Sequence, residues 1–120
     1  MNYLFLDDIR MPSEVGNYIY PVELRSMYRL NSWIIVRNYK QFVEYLENSL
    51  LPDVISFDHD LSDFYNGSHK EKTGLDCAKY LCELLEGRPL PHTYIHSMNP
   101  IGADNIKNYL NNYEKSRTIF

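Results

Sequence analysis

Cysteine is scarce in this chain, with only Cys77 and Cys82 among 120 residues. Five positions apart in a helical pattern, their Cα atoms fall about 8 to 9 Å apart, beyond the roughly 7 Å that a disulfide tolerates. Two reduced core thiols are therefore expected, and without Cys/His pairs at metal-finger spacing a structural zinc is not. Long apolar runs are missing too. None approaches the roughly 18 residues of a membrane span, and MNYLFLDDIR places acids where a secretory leader needs a basic start and a longer apolar stretch. The expectation is a cytoplasmic protein with no membrane partner. Positive charge is also short: 12 Lys and Arg against 16 Asp and Glu leave a formal net charge of -4. Without an overall positive field to drive counterion release, no duplex nucleic acid is expected as partner, and any nucleic-acid end must be held locally. Internal repeats, low-complexity tracts and Gly/Ser linkers are absent as well. What is present is 44% hydrophobic and 23% charged residues, an ordinary globular composition at a length that suits one domain over residues 1–120.

Along the chain, short apolar runs alternate with helical periodicity. Tyr3 to Leu6 reads as a first strand closed by Asp7 and Asp8. Residues 9–31 are broken by Pro12, Gly16 and Pro21, with Leu24, Met27 and Tyr28 on one face of a short helix after Pro21. Trp33 to Val36 reads as a second strand ending at Arg37. Asn38 with Gln41 resembles a capping box opening a helix that carries Phe42, Val43, Leu46 and Leu50 inward. After Pro52, Val54 to Phe57 forms a third strand ending in Asp58, His59 and Asp60. Thr73 with Asp76 caps a helix through Leu84, stopped by Gly87. Tyr94 and Ile95 make a fourth strand running into His96 and Ser97, Asn99-Pro100 starts a last helix, and Thr118 to Phe120 is a candidate fifth strand. Alternating strands and helices imply a parallel open α/β sheet covered on both faces, in which ligands bind beyond the carboxyl ends of the strands.

The chemically capable residues sit at those ends. Asp7, Asp8 and Asp58 would bring three carboxylates together, and their mutual repulsion calls for a hard divalent cation, magnesium or manganese, as cofactor. His59 and His96 titrate near neutral pH and suit proton transfer at a phosphate ester, with Asp60 beside them. Ser97 and Asn99 precede the amides of the last helix, a setting for phosphate oxygens, while Arg10 and Arg37 could clamp phosphate bidentately. His69 and His92 lack such placement. The loop 61–72 is long enough to be a lid carrying Lys70 or Lys72, and the eleven tyrosines suit either core packing or base stacking.

Leu6-Asp7-Asp8, PDVISFD, Gly74 and Ser97 together resemble a receiver domain. That resemblance implies Asp7, Asp8 and Asp58 as magnesium ligands, Asp58 at the phospho-acceptor position and Ser97 on phosphate. The strings LFLDDIRMP, ISFDHDL, TGLD and IHSMNPIGADNI resemble, more narrowly, the cyclic-phosphate processing receiver domain. This implies a pocket that recruits Arg10, His59, Asp60, His96, Ser97 and Asn99 around a nucleotide or RNA-end phosphate. Asp58-His59-Asp60 is also similar to the nucleophile motif of haloacid-dehalogenase phosphatases, which carry it on their first strand. Periodicity and resemblance together predict a flavodoxin-like three-layer sandwich with a five-stranded parallel sheet in the order 2-1-3-4-5. The function expected is metal-dependent hydrolysis of a cyclic phosphate, with Asp58, His59, Asp60 and His96 as catalytic residues. The alternative is a non-enzymatic module that senses phosphate or accepts it on Asp58.

Overall fold

The computed structural model describes residues 1–62 and 71–117. Strands β1 (Tyr3–Leu6), β2 (Trp33–Val36), β3 (Val54–Phe57) and β4 (His92–Ile95) form one parallel sheet in the order β2-β1-β3-β4. Its helices are α1 (Pro12–Val15), α2 (Arg25–Leu30), α3 (Tyr39–Asn48), α4 (Gly74–Leu85) and α5 (Pro100–Arg117), with a 3-10 turn at Val22–Leu24. Side chains alternate across the sheet and give each face its own core. Leu4, Leu6, Ile55 and Phe57 pack with Phe42 and Leu46 of α3, Ala78, Leu81 and Leu85 of α4, and Ile106 and Leu110 of α5. Phe5 points the other way and packs with Val15, Ile19 and Tyr28. These are the expected three layers.

The expected fifth strand is not part of this sheet, which has four strands among the described residues. After β4 the chain runs as one 18-residue helix to Arg117. Pro100 opens that helix, no further proline follows, and the buried stripe Gly102, Ile106 and Leu110 holds it against the sheet. Thr118 to Phe120 lie outside the described residues, as do residues 63–70 of the loop read as a lid. Lys72 is described, and its ammonium sits 4.9 Å from the centre of the Tyr39 ring.

Local capping explains where the helices begin. The Asn38 side chain accepts from the Gln41 amide at 2.8 Å, and Gln41 reaches back to the Arg37 amide. Thr73 and Asp76 form a reciprocal capping box on α4, whose far end closes through Glu86 in the left-handed region (φ 48°) followed by Gly87 (φ 89°). Cys77 and Cys82 are both buried and neither is in a disulfide, and burial pushes the Cys82 thiol up to about 11. No helix among the described residues is long and apolar enough to cross a membrane.

Candidate functional site

The sheet itself assembles the site. Leu6, Phe57 and Ile95 are the last paired residues of β1, β3 and β4, and the ladder continues one step beyond them. The Asp58 amide donates to the Leu6 carbonyl at 2.9 Å, and the His96 amide donates to the Phe57 carbonyl at 2.9 Å. One register step past the strands therefore holds Asp7, Asp58 and His96 side by side, which is why three strands of equal length paired in register deliver these groups to one place.

All three are buried, and burial of polar groups is costly unless they are bonded. Asp7 is saturated. Its Oδ1 accepts from the amides of Ile9 (3.0 Å) and Arg10 (2.9 Å), and its Oδ2 meets His96 Nε2 at 3.1 Å and Arg10 Nε at 3.3 Å. Burial pushes the Asp7 carboxyl up, yet the bonds from His96 and the two amides outweigh it and bring the group down to about 2. Asp58 has less help: its Oδ1 accepts from the His59 amide and its Oδ2 stands 3.9 Å from Arg10. Burial first, and the neighbouring Asp7 second, push the Asp58 carboxyl up to about 6. Asp8 is raised by the same two causes.

Above these acids lies a cleft of about 340 Å³ lined by Asp8, Arg10, Asp58, Asp60, Ser97 and Asn99, together with Ser62 and Met98. Six sequence-predicted residues thus line one cleft. Of the other four, Asp7, His96 and Arg37 stand behind it and His59 lies beside Asp60 at the rim. His96 is 1% exposed and both its ring nitrogens are bonded. His59 binds Asp60 through Nδ1 at 2.8 Å, and its ring lies on Gly102, where a Cβ would come within 2.4 Å of it. Arg37 donates to the carbonyls of Asp7 (3.0 Å) and Arg10 (2.7 Å), bracing the loop after β1.

The opposite rim is tied to α5. The Asn99 side chain caps α5 by accepting from the Gly102 amide and donates to both Asp60 oxygens. With the His59 bond as the main cause, Asp60 is lowered. Tyr18, which sequence reasoning did not single out, joins the two rims: its hydroxyl receives Arg10 Nη1 and donates to the His96 carbonyl at 3.2 Å. Ser56 and Tyr28 were missed as well; the signal available was a lone hydroxyl inside the apolar strand VISF.

The donor set suits a hard cation. Three carboxylates face a single guanidinium, and Asp7, Asp58 and His96 bring ligand-type atoms within 4.8 Å of one another. Because His96 Nε2, both Asp7 oxygens and both Asp60 oxygens are already bonded, Asp8 and Asp58 are the acids left toward the cleft.

No curated protein and no solved structure gives a match to this chain. The sequence model of the cyclic-phosphate processing receiver domain matches it over residues 2–112. A match across nearly the whole chain, carried by a parallel sheet whose strand ends converge on one polar cleft, makes this protein a member of the cyclic-phosphate processing receiver family.

Proposed function

We propose that the domain hydrolyses a cyclic phosphodiester, foremost the 2′,3′-cyclic phosphate of a nucleotide or RNA end. The observation that carries this reading is the pairing, in one cleft, of an Asp58 carboxyl raised to about 6 with the Arg10 guanidinium 3.9 Å away. A carboxyl in that range is a base matched to neutral pH, and a fixed guanidinium is suited to charge developing on phosphate oxygens. In the reaction a water oxygen bonds to phosphorus and the bond from phosphorus to one ribose oxygen breaks, leaving a phosphomonoester. Asp58 takes the proton of the attacking water. The His59–Asp60 pair on the opposite rim gives a proton to the departing ribose oxygen, and Ser97 with the start of α5 holds a phosphate oxygen that does not react. His96 lies behind Asp7 with both nitrogens bonded, so its part is to orient rather than to exchange protons with substrate.

Asp8 and one oxygen of Asp58 would hold magnesium or manganese; the bound ion would draw charge from the phosphate oxygens and lower Asp58 from its metal-free position, keeping it ionised with its second oxygen left to accept the proton of water. Calorimetric titration with either ion checks this: binding by wild type that is lost in Asp8→Asn supports the assignment, and no binding by wild type removes the metal.

The functional test is a screen of 2′,3′-cyclic mononucleotides, 3′,5′-cyclic nucleotides and cyclic oligonucleotides with magnesium or manganese, read by product chromatography. Turnover of a 2′,3′-cyclic phosphate is expected, with kcat/KM reduced about 100- to 1000-fold in Arg10→Ala, as for loss of one donor to developing charge. Inertness toward every cyclic phosphate, together with a stable acetyl-phosphate adduct on Asp58, would overturn hydrolysis in favour of the phospho-accepting module. Borohydride trapping during turnover separates base from nucleophile, since only a nucleophilic Asp58 passes through an acyl phosphate that the hydride reduces to homoserine.

A further inference from the structure

Beneath the cleft a line of buried polar groups crosses from the strand ends into the α2 layer, and nothing in the hydrolytic scheme uses it. His96 Nδ1 lies 2.6 Å from the Ser56 hydroxyl, which lies 2.6 Å from the Tyr28 hydroxyl. Ser56 is fully buried, Tyr28 and His96 are each 1% exposed, and the His96 ring stacks on Phe5 at 4.5 Å with 6° between planes. Tyr28 stacks in turn on Trp33 at 5.2 Å. The order Ser56, His96, Asp7 matches the residue types of a nucleophilic triad. It is not one, because Ser56 sits in the interior of β3 with Tyr28 over its hydroxyl, leaving no approach for a substrate.

The direction of every bond in this line follows from its end. A carboxylate only accepts, and Asp7 already takes two amides on Oδ1 and Arg10 Nε on Oδ2, so the proton between Asp7 and His96 belongs to Nε2. With a neutral ring, as deep burial favours, Nδ1 is then an acceptor and the Ser56 hydroxyl donates to it. The Ser56 oxygen is left to accept from Tyr28. Each group has one role, and the line runs one way from Tyr28 to Asp7.

We propose that Tyr28 and Ser56 are positioning residues for the cleft: by occupying Nδ1 they hold the His96 ring in the orientation in which its Nε2–H meets Asp7, which holds the Arg10 side chain and the loop that carries it. The last link rests on three bonds from Asp7 to Ile9 and Arg10, and on Tyr18, which receives Arg10 Nη1 while bonded to the His96 carbonyl. Removal of a hydroxyl about four groups away from the cleft is thus expected to loosen a guanidinium at its wall. That Arg10 meets a phosphate oxygen rests on the reading of the cleft given above; the tautomer and the hold on Arg10 do not.

The experiment uses the full chain labelled with nitrogen-15 and compares wild type, Tyr28→Phe, Ser56→Ala and Ser56→Thr. Ring nitrogen shifts of His96 report the tautomer, the Arg10 Nε–H resonance reports its hold on Asp7, and titration with inorganic phosphate reports the cleft. Wild type is expected to show protonated Nε2 and bare Nδ1. Tyr28→Phe and Ser56→Ala are expected to keep Nε2 protonated but to broaden the His96 and Arg10 signals and weaken phosphate binding about 10- to 100-fold, as for other outer groups that orient a ligand through an intermediate. Ser56→Thr, which keeps the hydroxyl, is expected to restore all three, an outcome that simple loss of packing does not produce. Protonated Nδ1 in the wild type would overturn the proposal. So would His96 and Arg10 signals in Ser56→Ala that match those of wild type. Should wild type itself fail to bind phosphate, the reading of the cleft falls, while the His96 and Arg10 signals still decide the proposal.

Discussion

Asp58→Asn is expected to stabilise the metal-free protein by about 3 kcal/mol at pH 7 and to change little at pH 4. The sign follows from the direction of the shift. Asp58 is raised from 3.8 to about 6, by burial and then by Asp7, so between those values the native state holds a proton that the unfolded chain has released. Stability contributed by this group is therefore present below the unfolded value and is lost as pH rises through the folded one. Asparagine never ionises, retains a carbonyl oxygen to accept from the His59 amide, and escapes that loss. About two pH units at 1.36 kcal/mol each set the upper scale of the effect. For a domain of this size the gain corresponds to roughly 10 °C or more in Tm. Asp7 works in the opposite sense and lower range: lowered to about 2, it contributes stability above pH 4 that disappears as pH falls toward 2. Thermal melts in chelator at pH 4 and pH 7 provide the check. Equal Tm values for wild type and Asp58→Asn at pH 7 would show that the carboxyl is not strained by its neighbours, and the base role assigned to it would lose its support.

The strand ends were readable because a sheet converts a simple pattern into convergence. Short strands that each end in a polar residue must, once paired in register, bring those residues to one edge, as Asp7, Asp58 and His96 show. Capping signals at Asn38 and Thr73 were readable for a related reason, since they act within one turn of chain. What lies between β1 and β2 was less so. Short helical pieces and the loop between them bury Val15, Ile19 and Tyr28 against Phe5, and their order depends on that contact more than on local propensity. The side to which a residue turns was hidden as well. Sequence spacing puts His96 at a strand end but does not say that Phe5 will stack on it or that Ser56 will take its Nδ1. Arg37 illustrates the same limit, because its backbone position beside the site leaves its guanidinium to brace the carbonyls of Asp7 and Arg10 instead of facing the cleft. The fifth strand was expected from the short run Thr118 to Phe120, whereas the sheet among the described residues ends at β4.

The glycines of TGLD and NPIG offer the other large effect, because they differ in what presses on them. A Cβ on Gly74 would lie 1.8 Å from the Asp58 carbonyl oxygen and 2.8 Å from its carbon. Both are backbone atoms, fixed further by the 2.9 Å bond from the Asp58 amide to Leu6 and the 2.8 Å bond from the Gly74 amide to the His59 carbonyl. Neither side can yield without separating α4 from the end of β3, so Gly74→Ala is expected to cost more than about 3 kcal/mol or to prevent folding. Gly102 meets only a side chain: its Cβ would fall 2.4 to 2.8 Å from three atoms of the His59 ring. That ring can turn aside, and alanine inside a helix recovers up to about 1 kcal/mol over glycine. Gly102→Ala is therefore expected to fold with a urea midpoint close to wild type while breaking the His59 bond to Asp60, and so to lower cyclic-phosphate turnover without unfolding the cleft. Urea titration of both variants, with turnover of a 2′,3′-cyclic nucleotide measured alongside, decides the matter. Wild-type stability in Gly74→Ala would mean that α4 does not press on Asp58, and wild-type turnover in Gly102→Ala would remove the His59–Asp60 pair from the reaction.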